Sequence, residues 1–345
     1  MKTLKDFNFK NKRVLLRCDF NVPFDEKGLI SDDFRIKQSL PTIEYLKKKG
    51  AKIILMSHLG RPNKNQKYSL KPIGSRLEKL LEQKVKFLDK CLGKKIEKEI
   101  EKMKPGEIIL LENLRFHEEE EENSANFAKE LSKLGDIYIN DAFSVCHRSH
   151  ASIVLLPKYL PSGAGLLLEK EIKVLTNLME SPEKPLLAII GGKKVETKVK
   201  LIDKISEISD FVLIGGLIKK EIEQKKIKLK NPQKIISPVD DILTFDIGPK
   251  TIEHFKEKIF QAKTIFWNGP LGMTEKEEFT KGSKEIAKAI IESGAFSIIG
   301  GGETIEFINR IGLVDKFSHI STGGGAMLAF LAGEKLPGIE VLKWK

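Results

Sequence analysis

Short apolar runs separated by longer amphipathic stretches recur along nearly the whole chain. In the first half, 14–19, 52–57, 108–111 and 136–140 read as strands. The stretches 36–49, 70–83, 96–103 and 125–134 place apolar residues at helical spacing. Residues 157–165 carry Pro157, Pro161, Gly163 and Gly165, a punctuation that interrupts the series. A helical pattern over 166–179 follows, and then a second series whose strands read as 186–190, 211–214, 264–267 and 296–299. Strands that alternate with helices pair in parallel, because each crossover helix lies over the sheet and returns the chain to the same edge direction. The expectation is an α/β protein with two doubly wound parallel-sheet domains, which suits 345 residues at about 100–200 residues per domain.

Composition narrows the function classes. No apolar stretch approaches the ~18–20 residues that span a bilayer, and the start lacks the apolar run of a secretory signal. Cys18, Cys91 and Cys146 are too few and too scattered for a disulfide framework or a paired-cysteine metal clamp, so a reducing cytoplasm is expected. The net charge of +12 has two readings: lysines solvated on helix faces, or attraction of anions such as small phosphates or nucleic acid. Arginine is used sparingly: Arg13, Arg17, Arg35, Arg61, Arg76, Arg115 and Arg148 precede residue 150, and only Arg310 follows. A guanidinium binds carboxylate or phosphate through two parallel bonds, which favours small-anion recognition in the first half. Five adjacent carboxylates at 118–122 repel one another and are expected to form a solvated surface, as is the lysine-rich stretch 221–234.

Polar clusters stand where first-half strands end. Asp19, Phe20 and Asn21 follow the first strand; Ser57, His58, Leu59, Gly60 and Arg61 follow the second; Glu112, Asn113 and Arg115 follow the third. Asn140 and Asp141 close the fourth and lead to His147, Arg148 and His150. Open α/β sheets bind ligands at the carboxyl ends of their strands, so these clusters outline a cleft. A strand-end arginine alone reads as a surface ion pair; Arg35, Arg61, Arg115 and Arg148 together would neutralise a ligand carrying carboxylate and phosphate. Cys146 beside His147 lacks a group to orient the imidazole, so a thiol nucleophile is set aside.

Second-half strands end in glycine: Gly191-Gly192, Gly215-Gly216, Gly269 and Gly272, Gly300-Gly301-Gly302, and Gly323-Gly324-Gly325. One glycine pair is as readily a tight turn, but five such exits let backbone N–H groups approach phosphate oxygens at helix starts. No G-x-x-x-x-G-K-[ST] and no G-x-G-x-x-G occurs, which sets aside a P-loop enzyme and a dinucleotide dehydrogenase. Lys194 and Lys198 share a helix face if a helix begins at this turn; otherwise they join a solvated helix start.

Arg17-Cys-Asp-Phe-Asn-Val-Pro23, Ser57-His-Leu-Gly-Arg-Pro62, Glu112-Asn-Leu-Arg-Phe116, Asn140-Asp-Ala-Phe143, His147-Arg-Ser-His-Ala-Ser152, Asp246-Ile-Gly-Pro-Lys-Thr251, Phe266-Trp-Asn-Gly-Pro-Leu-Gly272 and Ile320-Ser-Thr-Gly-Gly-Gly325 occur in that order. Together they resemble the phosphoglycerate kinase family, over nearly the whole chain from Arg13 to Leu342. The resemblance implies two Rossmann-like domains: a phosphoglycerate-binding domain (1–161), a connecting hinge helix (162–180), a nucleotide-binding domain (181–325), and a C-terminal segment (326–345) returning to the first. It implies 1,3-bisphosphoglycerate + ADP ⇌ 3-phosphoglycerate + ATP, a step of glycolysis and gluconeogenesis, with Mg²⁺ carried on the nucleotide. By matching position, Asp19, Phe20, Asn21, Arg35, His58, Leu59, Gly60, Arg61, Arg115 and Arg148 would hold the phosphoglycerate. Gly192, Lys198, Asn268, Glu275, Gly301, Gly302, Glu303 and Thr304 would hold the nucleotide, Glu275 at the ribose and Glu303 at the metal. Arg35 and Lys194 would face the phosphoryl group in flight.

Three departures stand out. The chain is shorter than usual for the family, with the loss between Lys198 and Asp246, and Leu217-Ile-Lys-Lys-Glu221 replaces small and aromatic residues near the base. Glu303 stands where the family has aspartate; either a bound water absorbs the extra methylene or metal-nucleotide affinity falls. Lys193 replaces a small residue and is expected to face solvent. A monomer with no nucleic-acid or membrane partner is expected. The alternative is a weakened member of the family serving as a nucleotide- or nucleic-acid-binding scaffold, which the retention of Arg35, Lys194 and Lys198 opposes.

Overall fold

A computed structural model describes residues 1–62, 68–192, 195–243 and 245–343, and the chain divides into two compact units. Unit 1 comprises Met1–Ile172 with Lys335–Lys345, and unit 2 comprises Lys173–Glu334. The helix Leu166–Glu180 begins in the first unit and ends in the second. Among the described residues, no helix is long and apolar enough to cross a membrane.

Unit 1 is built on β1 (Arg13–Arg17), β2 (Lys52–Met56), β3 (Val85–Phe87), β4 (Ile108–Leu110), β5 (Ile137–Asn140) and β6 (Ser162–Ala164). They form one parallel sheet in the order β3-β4-β2-β1-β5-β6. Unit 2 carries β7 (Leu186–Ile190), β8 (Phe211–Ile214), β9 (Ile235–Ile236), β10 (Asp241–Ile242), β11 (Asp246–Ile247), β12 (Thr264–Asn268), β13 (Phe296–Gly300) and β14 (His319–Ile320). Its parallel sheet runs β14-β13-β12-β7-β8-β9, and β10 pairs antiparallel with β11 beside it. β4, β5, β7 and β12 are buried at every position, the signature of a sheet covered on both faces. The order reverses at β1 in one sheet and between β7 and β12 in the other. At such a reversal the crossovers lead away on opposite sides and leave a crevice at the strand ends.

The strands missing from the sequence pattern are short. β3 and β6 have three residues each, and β9, β10, β11 and β14 have two. β6 lies within the Pro/Gly punctuation, where Gly163 is required: a Cβ there would fall 2.7 Å from the Phe7 ring. The acidic run corrects the expectation of a solvated surface. Glu118–Glu121 is a helical turn, and the second of its two central carboxylates faces inward. Glu120 is fully buried and accepts the Ser152 N–H at 2.9 Å and its hydroxyl at 2.5 Å, 3.9 Å from Arg17. One inward carboxylate with bonded partners outweighs repulsion among neighbours that point outward. The helix Pro337–Lys343 packs on unit 1, where the Gly338 N–H donates to the Cys146 carbonyl at 2.9 Å and a Cβ would strike Ile153.

Candidate functional site

Three strand exits of unit 1 are tied into one cradle by backbone-directed bonds. The Asn21 Oδ1, after β1, accepts the Gly60 N–H, after β2, at 2.8 Å; the Ser57 hydroxyl accepts the Phe20 N–H at the same distance. After β4, the Glu112 carboxylate caps the helix Lys71–Leu81 through the Leu70 N–H, and Asn113 exchanges two bonds with the Leu59 backbone. The Asn113 oxygen also accepts the Arg115 N–H at 3.0 Å, capping the 3₁₀ turn Leu114–Phe116 that carries Arg115 inward. The side chains of Phe20 and Leu59 belong to the hydrophobic core, which leaves their backbone for a ligand. Gly60 adopts φ +59°, a conformation a side chain resists, and its carbonyl accepts from Arg115 Nη1 at 2.5 Å.

Cations dominate this cradle. Arg35 reaches from the helix Phe34–Lys48 to Asp19 at 2.7 Å, and Asp19 also accepts the Ser144 hydroxyl. Arg115 Nε lies 3.0 Å from the Glu121 carboxylate but is not aimed at it, so among the described residues Nε and Nη2, both buried, have no hydrogen-bond acceptor. Burial pulls the Arg115 pKa down to about 10, with Arg148, Arg17 and Arg61 adding repulsion against the pull of Glu121. Arg148 is lowered for the same reasons, burial first and Arg61 next. His58 is held neutral, well below the usual imidazole range, by burial and then by Arg17, Arg115, Arg148 and Arg35. A neutral imidazole and guanidiniums that repel one another form a place prepared for an anion. Arg61 is exposed at the rim. The buried Cys146 thiol is pushed up to about 12 by desolvation, which makes it inert as a nucleophile.

Sequence reasoning did not place Arg17, Ser144, Glu120 or Glu121 in this site. Arg17 is fully buried, donating to Ser152 Oγ at 3.0 Å and the Cys18 carbonyl at 2.6 Å, with Nη2 3.4 Å from His58 Nδ1. The available signal was a charged residue inside the apolar run of a two-faced strand. Nothing in its spacing separated Glu120 from its four acidic neighbours.

In unit 2 the carboxyl ends of β7 and β12 touch. The Gly191 N–H donates to the Asn268 carbonyl and the Gly192 N–H to the Pro270 carbonyl, each at 2.9 Å. A Cβ on Gly191 would lie 2.1 Å from the Pro270 oxygen, and one on Gly269 would lie 2.1 Å from the Gly191 oxygen, so only glycine permits the approach. The buried Lys198, in the helix Val195–Ile208, donates to Asn268 Oδ1, while the buried Asn268 Nδ2 has no acceptor among the described residues. Desolvation lowers the Lys198 pKa to about 8, opposed by Glu303. Gly301, at φ +95°, caps the helix Gly302–Arg310, and the Thr304 hydroxyl accepts the Gly269 N–H at 2.8 Å, joining two glycine turns. A shallow cavity is lined by Gly192, Leu217, Leu271, Met273, Glu275 and Glu303 among others. Lys194 and Lys193 lie outside the described residues.

This arrangement suits a nucleotide: an apolar slot beside open backbone, a buried ammonium and a helix start. Among the described residues no group of three or more His, Cys, Asp or Glu side chains is placed to hold a metal. Glu303 supplies one exposed carboxylate beside Lys198. That set fits Mg²⁺, which takes one or two protein carboxylates and completes its shell with phosphate oxygens and water.

Comparison with known proteins gives a consistent outcome. The family model for phosphoglycerate kinase matches residues 4–226 and 218–334. The phosphoglycerate kinase of Borrelia garinii subsp. bavariensis is 44% identical over 391 aligned residues, covering 99% of this chain and 99% of that protein. That of Dictyoglomus turgidum is 45% identical over 390, covering 99% and 98%. The crystal structure of the phosphoglycerate kinase from Pyrococcus horikoshii OT3 superposes with a TM-score of 0.90 at 35% identity, over 99% of this chain and 98% of that one. The structure of the phosphoglycerate kinase from Coxiella burnetii gives 0.83 at 32%, over 99% of each. The alignments outrun the chain, so the curated relatives carry segments that it lacks. The two family matches meet at 218–226, between Lys198 and Asp246.

Proposed function

The chain belongs to the phosphoglycerate kinase family, and we propose that its two sites divide that family's reaction between them, the arginine cradle taking the acid and the glycine turns the nucleotide. The activity is phosphoglycerate kinase activity, a phosphotransferase step of glycolysis. The observation that carries the division of labour is Arg115. It is a buried guanidinium with two nitrogens lacking acceptors among the described residues, with three further arginines near it that together match a ligand with carboxylate and phosphate at its ends.

Transfer in line from the acyl phosphate to ADP needs positioning and charge stabilisation more than covalent chemistry. Asp19 and Asn21 orient the phosphoglycerate, and Arg35, held by Asp19, presents its cation to the phosphoryl group. Lys198 meets nucleotide phosphates, Glu275 the ribose, and the Gly301–Gly302 turn offers backbone N–H groups. Lys194 is assigned to the phosphoryl group in flight. Glu303 would hold Mg²⁺, which neutralises phosphate charge when bound. The two substrates must meet, a movement assigned to segment 162–180 as hinge. The protein is taken to act as a cytoplasmic monomer without nucleic-acid or membrane partners.

The test is ADP formation from Mg·ATP with and without 3-phosphoglycerate, in wild type, Lys194→Ala and Arg35→Ala. Turnover that depends on 3-phosphoglycerate and falls by about 10³-fold in either variant is expected. Folded wild-type protein that turns over neither ATP nor GTP across a range of Mg²⁺ would favour the scaffold reading.

A further inference from the structure

The acidic turn Glu118–Glu121 does more than fill a surface. Its buried residue, Glu120, is fastened to the backbone and hydroxyl of Ser152, and that attachment fixes the turn against the cradle. The next residue, Glu121, is thereby carried to the arginines. Its Oε1 stands 3.0 Å from Arg115 Nε and 3.9 Å from His150 Nε2, and its charge also reaches Arg148. The side chain is 48% exposed, so water can solvate it once it swings away. The pair is also imperfect: Arg115 Nε is not aimed at the carboxylate, and Nη2 has no acceptor among the described residues. A carboxylate beside buried guanidiniums, close enough to attract and too poorly aligned to bond, is built to be displaced.

We infer that Glu121 is a resident counter-ion of the acid-substrate site, displaced from Arg115 by an anionic group of the incoming ligand. It rests on the reading of the cradle as that site. Two consequences follow. Glu121 limits repulsion among Arg115, Arg148 and Arg61 while the site is empty. It also competes with every anion that enters, so each ligand's affinity is lowered by the cost of displacing it. Glu121 thus sets the affinity of the site for anions, acting through its charge.

The experiment measures binding of inorganic sulfate and of 3-phosphoglycerate by titration calorimetry, to nucleotide-free wild type, Glu121→Gln and Glu121→Asp. Steady-state KM and kcat for 3-phosphoglycerate are measured alongside. Removing the competing charge is expected to tighten binding of both ligands by about threefold to tenfold and to lower KM by a similar factor, with kcat little changed. Glu121→Asp, which keeps the charge, should stay near wild type. Affinities that are unchanged or weaker in Glu121→Gln overturn the inference; a weaker affinity would mean that Glu121 holds Arg115 ready for substrate. If Glu121→Gln fails to fold, Glu121→Ala carries the same comparison. Failure of 3-phosphoglycerate to bind wild type, with sulfate still bound, would instead remove the reading of the cradle as the acid site.

Discussion

Replacing Gly191 by alanine probes the contact between β7 and β12 where the nucleotide site is proposed. The new Cβ would fall 2.1 Å from the Pro270 oxygen and 2.6 Å from the Gly269 oxygen, both backbone atoms with no rotamer to escape into. Relief needs about 1 Å of separation between the strand ends, as carbon and oxygen pack no closer than about 3.2 Å. That movement strains two backbone bonds, from Gly191 to Asn268 and from Gly192 to Pro270. Overpacking at about 1–3 kcal/mol, with two weakened bonds at about 1 kcal/mol each, gives a loss of about 3–5 kcal/mol. The control is Gly216→Ala, at the start of the helix Gly216–Gln224, where nothing lies within 4 Å of the added carbon. It should shift stability by no more than about 1 kcal/mol, in the stabilising direction. Urea unfolding followed by tryptophan fluorescence in a Trp344→Phe background, which leaves Trp267, fully buried in β12, as the reporter, reads both variants at the strand concerned. Turnover should also fall by about 10²-fold in Gly191→Ala, since Asn268 and the Lys198 it holds move with the strand end. If Gly191→Ala unfolds within about 0.5 kcal/mol of the control and keeps its KM for Mg·ATP, the steric argument is wrong.

Two further outcomes test the chemistry of each site. Glu303→Ala should raise the Mg²⁺ concentration for half-maximal rate by about tenfold or more without moving KM for 3-phosphoglycerate, read from rates at fixed ATP across Mg²⁺; an unchanged metal dependence removes Glu303 from that role. His58, held neutral in the folded state with its pKa well below the usual range, contributes stability above about pH 6.5 that is lost as pH falls, because only the unfolded chain then takes up the proton. The loss is on the order of 1 kcal/mol at pH 5.5, and urea unfolding at pH 7.5 and 5.5 should show that much less of a fall in His58→Gln than in wild type, while the share of His150, lowered by burial to about 3, remains in both.

The architecture was legible because buried parallel strands write themselves as unbroken apolar runs. The runs at 186–190 and 211–214 coincide with β7 and β8. The two-residue strands have no period to read, and β9 and β14 exist only because a neighbour offers its edge. At the site, residue types and strand-end positions identified Arg35, Arg61, Arg115 and Arg148, since arginine is scarce in this chain. Glu120 and Glu121 were hidden, because inward and outward carboxylates in a homopolymeric run differ only in three dimensions. Ser144 was hidden too: a hydroxyl that holds Asp19 looks like any other serine until the loop is folded.

The helix Pro337–Lys343 belongs to a unit whose first 172 residues precede it by an entire second unit. During synthesis, therefore, the Cys146 carbonyl and the surface around Ile153 wait for residues 337–343 to leave the ribosome before Gly338 can dock on them. Unit 2 is a finished stretch of chain by then, whereas unit 1 is the first to begin and the last to be completed. A stop just before Pro337 would spare unit 2 and leave unit 1 without its clasp. A chain released too early is thus marked by its own incomplete first unit.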